Sequence, residues 1–496
     1  MKRNQFIFIM TDTQRKDMIN AFNDKFEMHT PNLDRLVKEG VSFDHAYTAQ
    51  PVCGPARSTI FTGTYPHTNG MIGNSMNLGQ GVKTIGERLS EANIHCGYIG
   101  KWHLDGGDYF GDGICPKGWD ENYWFDMRNY LMEMSDAERL RSRKFESCFD
   151  ENGVDESFTY AHKCTNKAIE FINKHKNEDF LLVLSYDEPH DPSLAPKKFF
   201  EPFKNKNVFK KENGNADINS LPRHIRLWAE NTKEVFEDSK GFGLAGCNSF
   251  VDYEIGRVLE VINSDLWDPT IMYTSDHGAS MGSHKIEGKG AAMYEEITNI
   301  PLIINSPHCR NSCTRRDIVS HIDITPTILE FFNIKKPEAL YGESIFSKGT
   351  LRQEDKVNKA FIEFNRYEVD HDGFGGYQPV RCIVKDQFKL IISMHSDDEL
   401  YNLTSDPEEM NNLINSNEYM EIRNKFHKEL MEWMDETRDP YRGYCWEERP
   451  WQKNFKGSWN NHGMTRQKKT EPNEVKQLDY DTGLEISGFS RLKKSY

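Results

Sequence analysis

What this chain lacks narrows the field first. No apolar run approaches the roughly 20 residues that span a bilayer. The longest near its start is Phe6-Ile7-Phe8-Ile9-Met10. Behind Met1-Lys2-Arg3 this run is too short for a secretory h-region, and Thr11-Asp12 interrupts it before any small-residue cleavage site. It reads as a buried strand, and the chain is expected in the cytoplasm, away from the membrane. A basic excess is missing too. The formal net charge is −15, which excludes a general nucleic-acid binder, because that needs a basic face to neutralise phosphates. A local cluster of Lys, Arg and His can still receive a small anion against that mean field. The ten cysteines show no metal-ligand spacing, with Cys309 and Cys313 as the one close pair. They read as buried small hydrophobes or inert thiols, Cys53 excepted. Repeats and low-complexity tracts are absent. With 37% hydrophobic and 28% charged residues, nothing points to large-scale disorder. A length of 496 residues suits one large α/β domain with a smaller one, or two to three modest domains.

What is present alternates in texture. Strands are expected over Gln5–Met10, Phe180–Ser185, Trp267–Thr274 and Pro301–Ile304. Helices are expected over Asn32–Glu39, Phe242–Ile262 and Asp323–Phe332, where apolar residues recur at helical spacing. Strands separated by helices imply a mainly parallel sheet with helices on both faces. From about Tyr377 the pattern changes to a hairpin, Arg381–Val384 and Phe388–Ser393, and then a helix from Asn417 to Arg438. The expected division is a catalytic domain over 1–376 and a small α+β subdomain with a polar, aromatic-containing tail over 377–496.

Ligand groups gather at the carboxyl ends of strands in open parallel sheets. Asp12 follows the first strand, and Asp276-His277-Gly278 follows the strand ending at Thr274. In Pro51-Val52-Cys53-Gly54-Pro55-Ala56-Arg57-Ser58-Thr59 a cysteine precedes a turn, a proline suits a first helical turn, and an arginine lies one turn beyond the cysteine. A helix N-terminus plus a guanidinium favours an anion there. On a bare Cys-x-Pro-x-Arg match, a buried structural cysteine beside a surface arginine is the better reading.

The whole stretch through Ile60-Phe61-Thr62-Gly63 closely resembles the signature of the sulfatase family, the formylglycine-dependent members of the alkaline phosphatase superfamily. The resemblance continues in order through Gly97-Tyr98-Ile99-Gly100-Lys101-Trp102-His103, Glu188-Pro189-His190-Asp191-Pro192, Ser275-Asp276-His277-Gly278, Lys289-Gly290, His321-Ile322-Asp323-Ile324-Thr325-Pro326 and Glu399-Leu400-Tyr401-Asn402-Leu403. It implies an alkaline-phosphatase-like α/β fold and a sulfuric ester hydrolase. Cys53, oxidised to formylglycine by a maturation enzyme and then hydrated, would attack sulfur, with Arg57 holding it. Lys101 and Lys289 would offset sulfate charge, and His103 would hydrogen-bond the diol. His190 would protonate the leaving alcohol, with His103 as runner-up. Asp12, Cys53, Asp276 and His277 would hold one divalent cation, Ca²⁺ ahead of Mn²⁺ or Mg²⁺. His284, Glu295 and Glu296 rank as supporting residues. Family habit makes the substrate a small sulfated saccharide.

One position departs from the pattern. Family members commonly carry two adjacent aspartates after the first strand, but here Thr13 follows Asp12. Thr13 or Gln14 offers only a neutral oxygen, which leaves the metal and its coordination number open. The departure also brings in phosphonate monoester and phosphodiester hydrolases, relatives sharing the formylglycine. Those tend to lack the Lys-x-His pair, so Lys101 and His103 favour sulfate. A hydrolase using unmodified Cys53 and a catalytically silent binding protein are the further rivals.

Overall fold

A computed structural model describes residues 3–452 except 80, 107–108, 152, 205, 207, 210–211, 233–237, 265–266, 310–311, 348–349, 353–357 and 368–376. The chain divides into two compact units, Met1–Pro440 and Tyr441–Tyr496. In the second, a single helical turn, Tyr444–Glu447, lies within the described residues. Of the tail aromatics, Phe455 and Trp459 fall outside them.

The first unit is built on a seven-stranded sheet. Its strands are β1 (Gln5–Asp12), β2 (Val41–Tyr47), β3 (His95–Gly100), β4 (Phe180–Pro189), β5 (Thr270–Ser275), β6 (Leu302–Asn305) and β7 (Cys313–Ser320). Their spatial order is β3-β4-β1-β5-β6-β2-β7. The expected mainly parallel arrangement holds. β6 alone runs against its neighbours, antiparallel to both β5 and β2. β2 and β7 carry no uninterrupted apolar run, with His45 and Asp44 in one and Arg315-Arg316-Asp317 in the other, which is why periodicity passes over them.

Alternation along β1 splits the core in two. Ile7 and Ile9 face one layer with Leu33 and Leu36 of the helix Pro31–Glu39, Phe171 of the helix Tyr160–His175 and Val251 and Ile255 of the helix Asp238–Ser264. Phe6, Phe8 and Met10 face the other, with Ile60 and Phe61 of the helix Cys53–Thr62 and Ile328 and Leu329 of the helix Ile324–Phe331. Both faces are therefore covered, as a fully buried central strand demands.

A short hairpin, β8 (Phe346–Ser347) and β9 (Thr350–Leu351), leads to the small antiparallel sheet of β10 (Lys359–Phe364), β11 (Val380–Lys385), β12 (Phe388–Ser393) and β13 (Glu399–Asn402). The expected hairpin is β11 and β12, turning at Asp386 with φ 52°. β10 enters this sheet from upstream of residue 377. The helix Met420–Glu436 covers one face, with Trp433 stacked on Phe361 at 4.8 Å between ring centroids.

Because β1, β3, β4 and β5 are mutually parallel through β1 and β4, their carboxyl ends share one edge of the sheet. Asp12, Lys101, Asp187 to His190, and Asp276 to His277 all emerge there.

Candidate active site

The helix Cys53–Thr62 points its first residue at that edge, and every residue in it is buried. Cys53 Sγ lies 2.9 Å from Lys289 Nζ, 3.3 Å from His277 Nε2 and 3.7 Å from Asp12 Oδ1. One helical turn on, Arg57 is fully buried and spans the strand ends. It donates to Asp12 Oδ2 and Asp276 Oδ2, each at 3.1 Å, and to Lys101 O and Ser185 Oγ, each at 2.7 Å. None of its bonds goes to the cysteine sulfur among the described residues. It braces the two carboxylates.

Lys101 Nζ sits 2.7 Å from Asp12 Oδ2 and 3.0 Å from Asp187 Oδ1, above the Tyr109 ring. Tyr109 donates its hydroxyl to Asp187 at 2.5 Å and lies 3.1 Å from His190 Nδ1. His190 Nε2 is 4.0 Å from Asp12 Oδ1, and its side chain keeps 20% exposure. It is the site histidine that meets solvent. Gly100 makes this packing possible. It adopts φ +117°, and a Cβ there would lie 1.9 Å from Ser185 O.

Thr13, in place of a second aspartate, ties the carboxylates together. Its hydroxyl donates to Asp12 Oδ1 at 2.7 Å and its backbone N–H to Asp276 Oδ1 at 3.1 Å. To do so it holds φ 66°, strained for a β-branched residue. Gln14 is not free to ligate. Its Oε1 accepts from Tyr273 and its Nε2 donates to Asn248. Gly278 adopts no left-handed φ. Its use is close approach, since a Cβ would lie 2.0 Å from Glu296 O.

The electrostatics are those of a buried anion site ringed by cations. Burial pushes Asp12 up, but Lys101, Lys289, His190 and Arg57 outweigh it and hold the carboxyl well below its ordinary range. Asp276 is pushed up to about 6 by burial and the Asp12 charge, against His277 and Arg57. Burial and Asp12 would raise the Cys53 thiol. Lys289, Lys101 and His277 hold it well below the usual value. Burial and Lys289 press His190 down, while Asp12 and a hydrogen bond with Cys53 bring it above its ordinary value. His103 goes the other way, lowered by burial, although Cys53 also bonds it.

Asp12, Cys53, Asp276 and His277 each place one ligand atom within 4.8 Å of the others. Two carboxylates and an imidazole form an oxygen-rich donor set that could hold Ca²⁺, Mg²⁺ or Mn²⁺. The raised Asp276, beside a second buried carboxylate, is the chemistry a divalent cation relieves.

Sequence reasoning placed Asp12, Cys53, Arg57, Lys101, His103, His190, Asp276, His277 and Lys289 at one site, and the fold brings all nine together. Lys101 and His103 do not alternate along a strand, since β3 ends at Gly100 and His103 has φ 59°. His284 stacks on Tyr294 at 3.5 Å, and Glu295 pairs with Lys389 at 2.8 Å, so both serve packing. Three contributors were missed. Asp187 stands just before the Glu188-Pro189-His190 motif, an acidic pair at a strand end that could have drawn notice. Tyr109 and Asn74, whose Oδ1 accepts the Gly54 N–H at 2.9 Å, sit in loops without a local signal.

Fold and site together define a hydrolase of the alkaline-phosphatase type, with a buried cysteine at a helix start facing paired carboxylates. The family model described as sulfatase matches residues 4–334, and that described as N-sulphoglucosamine sulphohydrolase, C-terminal, matches 282–436. The chain belongs to the sulfatase family and is a sulfuric ester hydrolase. It is 42% identical to the uncharacterised sulfatase YidJ of Escherichia coli (strain K12), covering 100% of this chain and 99% of that one. It is 27% identical to an N-acetylglucosamine-6-O-sulfatase of Bacteroides thetaiotaomicron over 89% of this chain and 87% of the relative. A solved phosphonate monoester hydrolase of Agrobacterium radiobacter superposes with a TM-score of 0.71 at 20% identity, covering 88% of this chain and 96% of that one. The shared scaffold therefore does not by itself choose between sulfur and phosphorus.

Proposed function

We propose that this enzyme hydrolyses a sulfate monoester of a small saccharide, with a formylglycine made from Cys53 as nucleophile and one divalent cation held by Asp12, Asp276 and His277. The observation that carries the reading is the Cys53 environment. One buried sulfur lies 2.9 Å from an ammonium and 3.3 Å from an imidazole, at the start of a helix, the end whose dipole favours negative charge. Formylglycine, once hydrated, supplies a hydroxyl nucleophile, and the cation stabilises charge on the oxygens of the transferring group. Ca²⁺ is the first choice for that cation.

The chain's own residues do the remaining work. Lys101 and Lys289 face the position of the sulfuryl oxygens and offset their charge in a water-poor site. Arg57 keeps Asp12 and Asp276 from drifting apart or pairing with the substrate's counter-ions. His190, raised above its ordinary value and partly exposed, is placed to protonate the leaving alcohol, with Tyr109 fixing its ring. The amino-sugar sulfatase among the relatives and the sulphoglucosamine match to the C-terminal region support a saccharide substrate. A cytoplasmic site of action is also proposed. Maturation of Cys53 would then be cytosolic.

Hydrolysis of a nitrophenyl sulfate and the matching phosphodiester, by protein co-expressed with a formylglycine-generating enzyme and by Cys53→Ala, tests this reading. Sulfate preference lost in Cys53→Ala, with the aldehyde detected in the Cys53 peptide by mass, is expected. Phosphodiester preference would overturn the substrate class, and full activity with an intact thiol would overturn the nucleophile.

A further inference from the structure

The other ends of β3 and β4, away from the active site, carry a second cluster. His95 opens β3, and His175 closes the helix Tyr160–His175. Glu178 lies in the turn leading to β4, its N–H bonded to His175 O. Asp120 is held beside β3 by a bond from its N–H to Cys96 O. Glu178 Oε2 stands 3.3 Å from His95 Nδ1 and 3.1 Å from His175 Nδ1. On the far side of the first ring, His95 Nε2 lies 2.7 Å from Asp120 Oδ2. His95, Asp120 and His175 each offer a ligand atom within 4.8 Å of the others.

We propose that this cluster is a divalent-cation site of the zinc class, with His95, His175 and Glu178 as ligands and Asp120 behind His95. The spacing is the argument. Four-coordinate zinc with bonds of about 2.0–2.1 Å separates adjacent ligand atoms by about 3.3 Å, which the two Glu178 distances match. Asp120 holds the proton on His95 Nε2 and leaves the Nδ1 lone pair for the ion, the outer carboxylate that zinc-bound histidines usually carry. Two imidazoles select zinc over calcium or magnesium.

Charge separates this cluster from the other groupings. Among the described residues, neither Asp120 nor Glu178 has a lysine or arginine within ion-pair distance. Glu156, His162 and Glu254 already hold Arg257 and Lys198. Asp439, beside His67 and Glu363, is paired with Arg381. Asp105, Asp112 and Asp126 offer no nitrogen. The His95 ring keeps 24% exposure and Glu178 52%, so an ion can enter. Bound there, it would tie the start of β3, the end of the long helix and the turn into β4, at the end of these strands opposite Lys101 and His190. It acts as a staple and takes no part in the reaction.

The test is equilibrium dialysis of the full chain against Zn²⁺ in excess Ca²⁺, with bound zinc counted for wild type, Asp276→Asn, His175→Asn, Asp120→Asn and Glu178→Gln. Wild type should hold a zinc that Asp276→Asn keeps and His175→Asn loses. Asp120→Asn should weaken it about 10–100-fold, and sulfate ester hydrolysis should persist in the three cluster variants. Loss of all zinc in Asp276→Asn, or an unchanged count in His175→Asn, would overturn the proposal. Should His175→Asn fail to fold, the exposed Glu178→Gln decides. Affinity at least tenfold weaker supports the site, and unchanged affinity overturns it.

Discussion

Replacing Arg57 by methionine tests whether the site is braced as described. The guanidinium is fully buried and gives four hydrogen bonds, two of them to carboxylates at 3.1 Å. Bonds to charged groups contribute about 1.5–3 kcal/mol each, but a sum overcounts here. Lys101 still reaches Asp12 at 2.7 Å, and His277 Nε2 lies 3.5 Å from Asp276 Oδ1. Removing one partner from a buried ion pair costs about 3–5 kcal/mol, and that is the expected loss. It is read from the urea midpoint at unchanged slope with divalent cations chelated, because a bound ion adds its own stabilisation and would hold Asp276 ionised. The variant also carries a pH signature. Without Arg57 the folded-state Asp276 carboxyl, already at about 6, moves further up. A raised carboxylate contributes stability below its unfolded value and loses it as pH rises through the folded value. The gap between wild type and variant should therefore be smaller at pH 5 than at pH 8. Arg57→Lys keeps the charge but cannot span both carboxylates, so it should fall between the two. A loss under about 1 kcal/mol, or a gap that ignores pH, would refute the bracing argument.

Other outcomes follow from the same geometry. Gly100→Ala forces a Cβ to within 1.9 Å of Ser185 O at φ +117° and should give insoluble protein. Gly70→Ala, at φ +87° with nothing within 4 Å, should cost only about 1–2 kcal/mol in the same urea assay. His224 is buried, with Nδ1 2.7 Å from Ser396 Oγ, and burial pushes it down to about 4. Its contribution is present above the unfolded value near 6.5 and is lost as pH falls toward 4, by up to about 3 kcal/mol. His224→Gln should flatten the acid side of the stability curve, measured by urea midpoints from pH 7 to 4, and an unchanged slope would count against a neutral His224. Chelation should abolish sulfate ester hydrolysis, with Ca²⁺ restoring it in wild type. Asp12→Asn should need far more Ca²⁺ for the same rate, and equal requirements would remove Asp12 from the ligand set.

The sequence by itself disclosed the family, the candidate nucleophile and the order in which the candidate site residues arrive. The reason is local: a cysteine, a proline and an arginine within one turn and a half carry their geometry with them wherever that helix lies. It also disclosed the buried strands β1, β4 and β5, because a strand covered on both faces must be continuously apolar. Tertiary structure decided the rest. β2 and β7 pair although charged residues interrupt them, since sheet position outweighs intrinsic preference. Arg57 serves the carboxylates rather than the sulfur because the ends of β1 and β5 lie beside it, a neighbourhood no linear spacing records. Thr13 does not leave a hole where an aspartate would stand. Its hydroxyl and N–H join Asp12 to Asp276, which depends on a left-handed backbone that β1 and β5 impose together. Asp187 and Tyr109 enter the site, and His95 meets His175 across two elements, only because the parallel register of β3 and β4 aligns their ends.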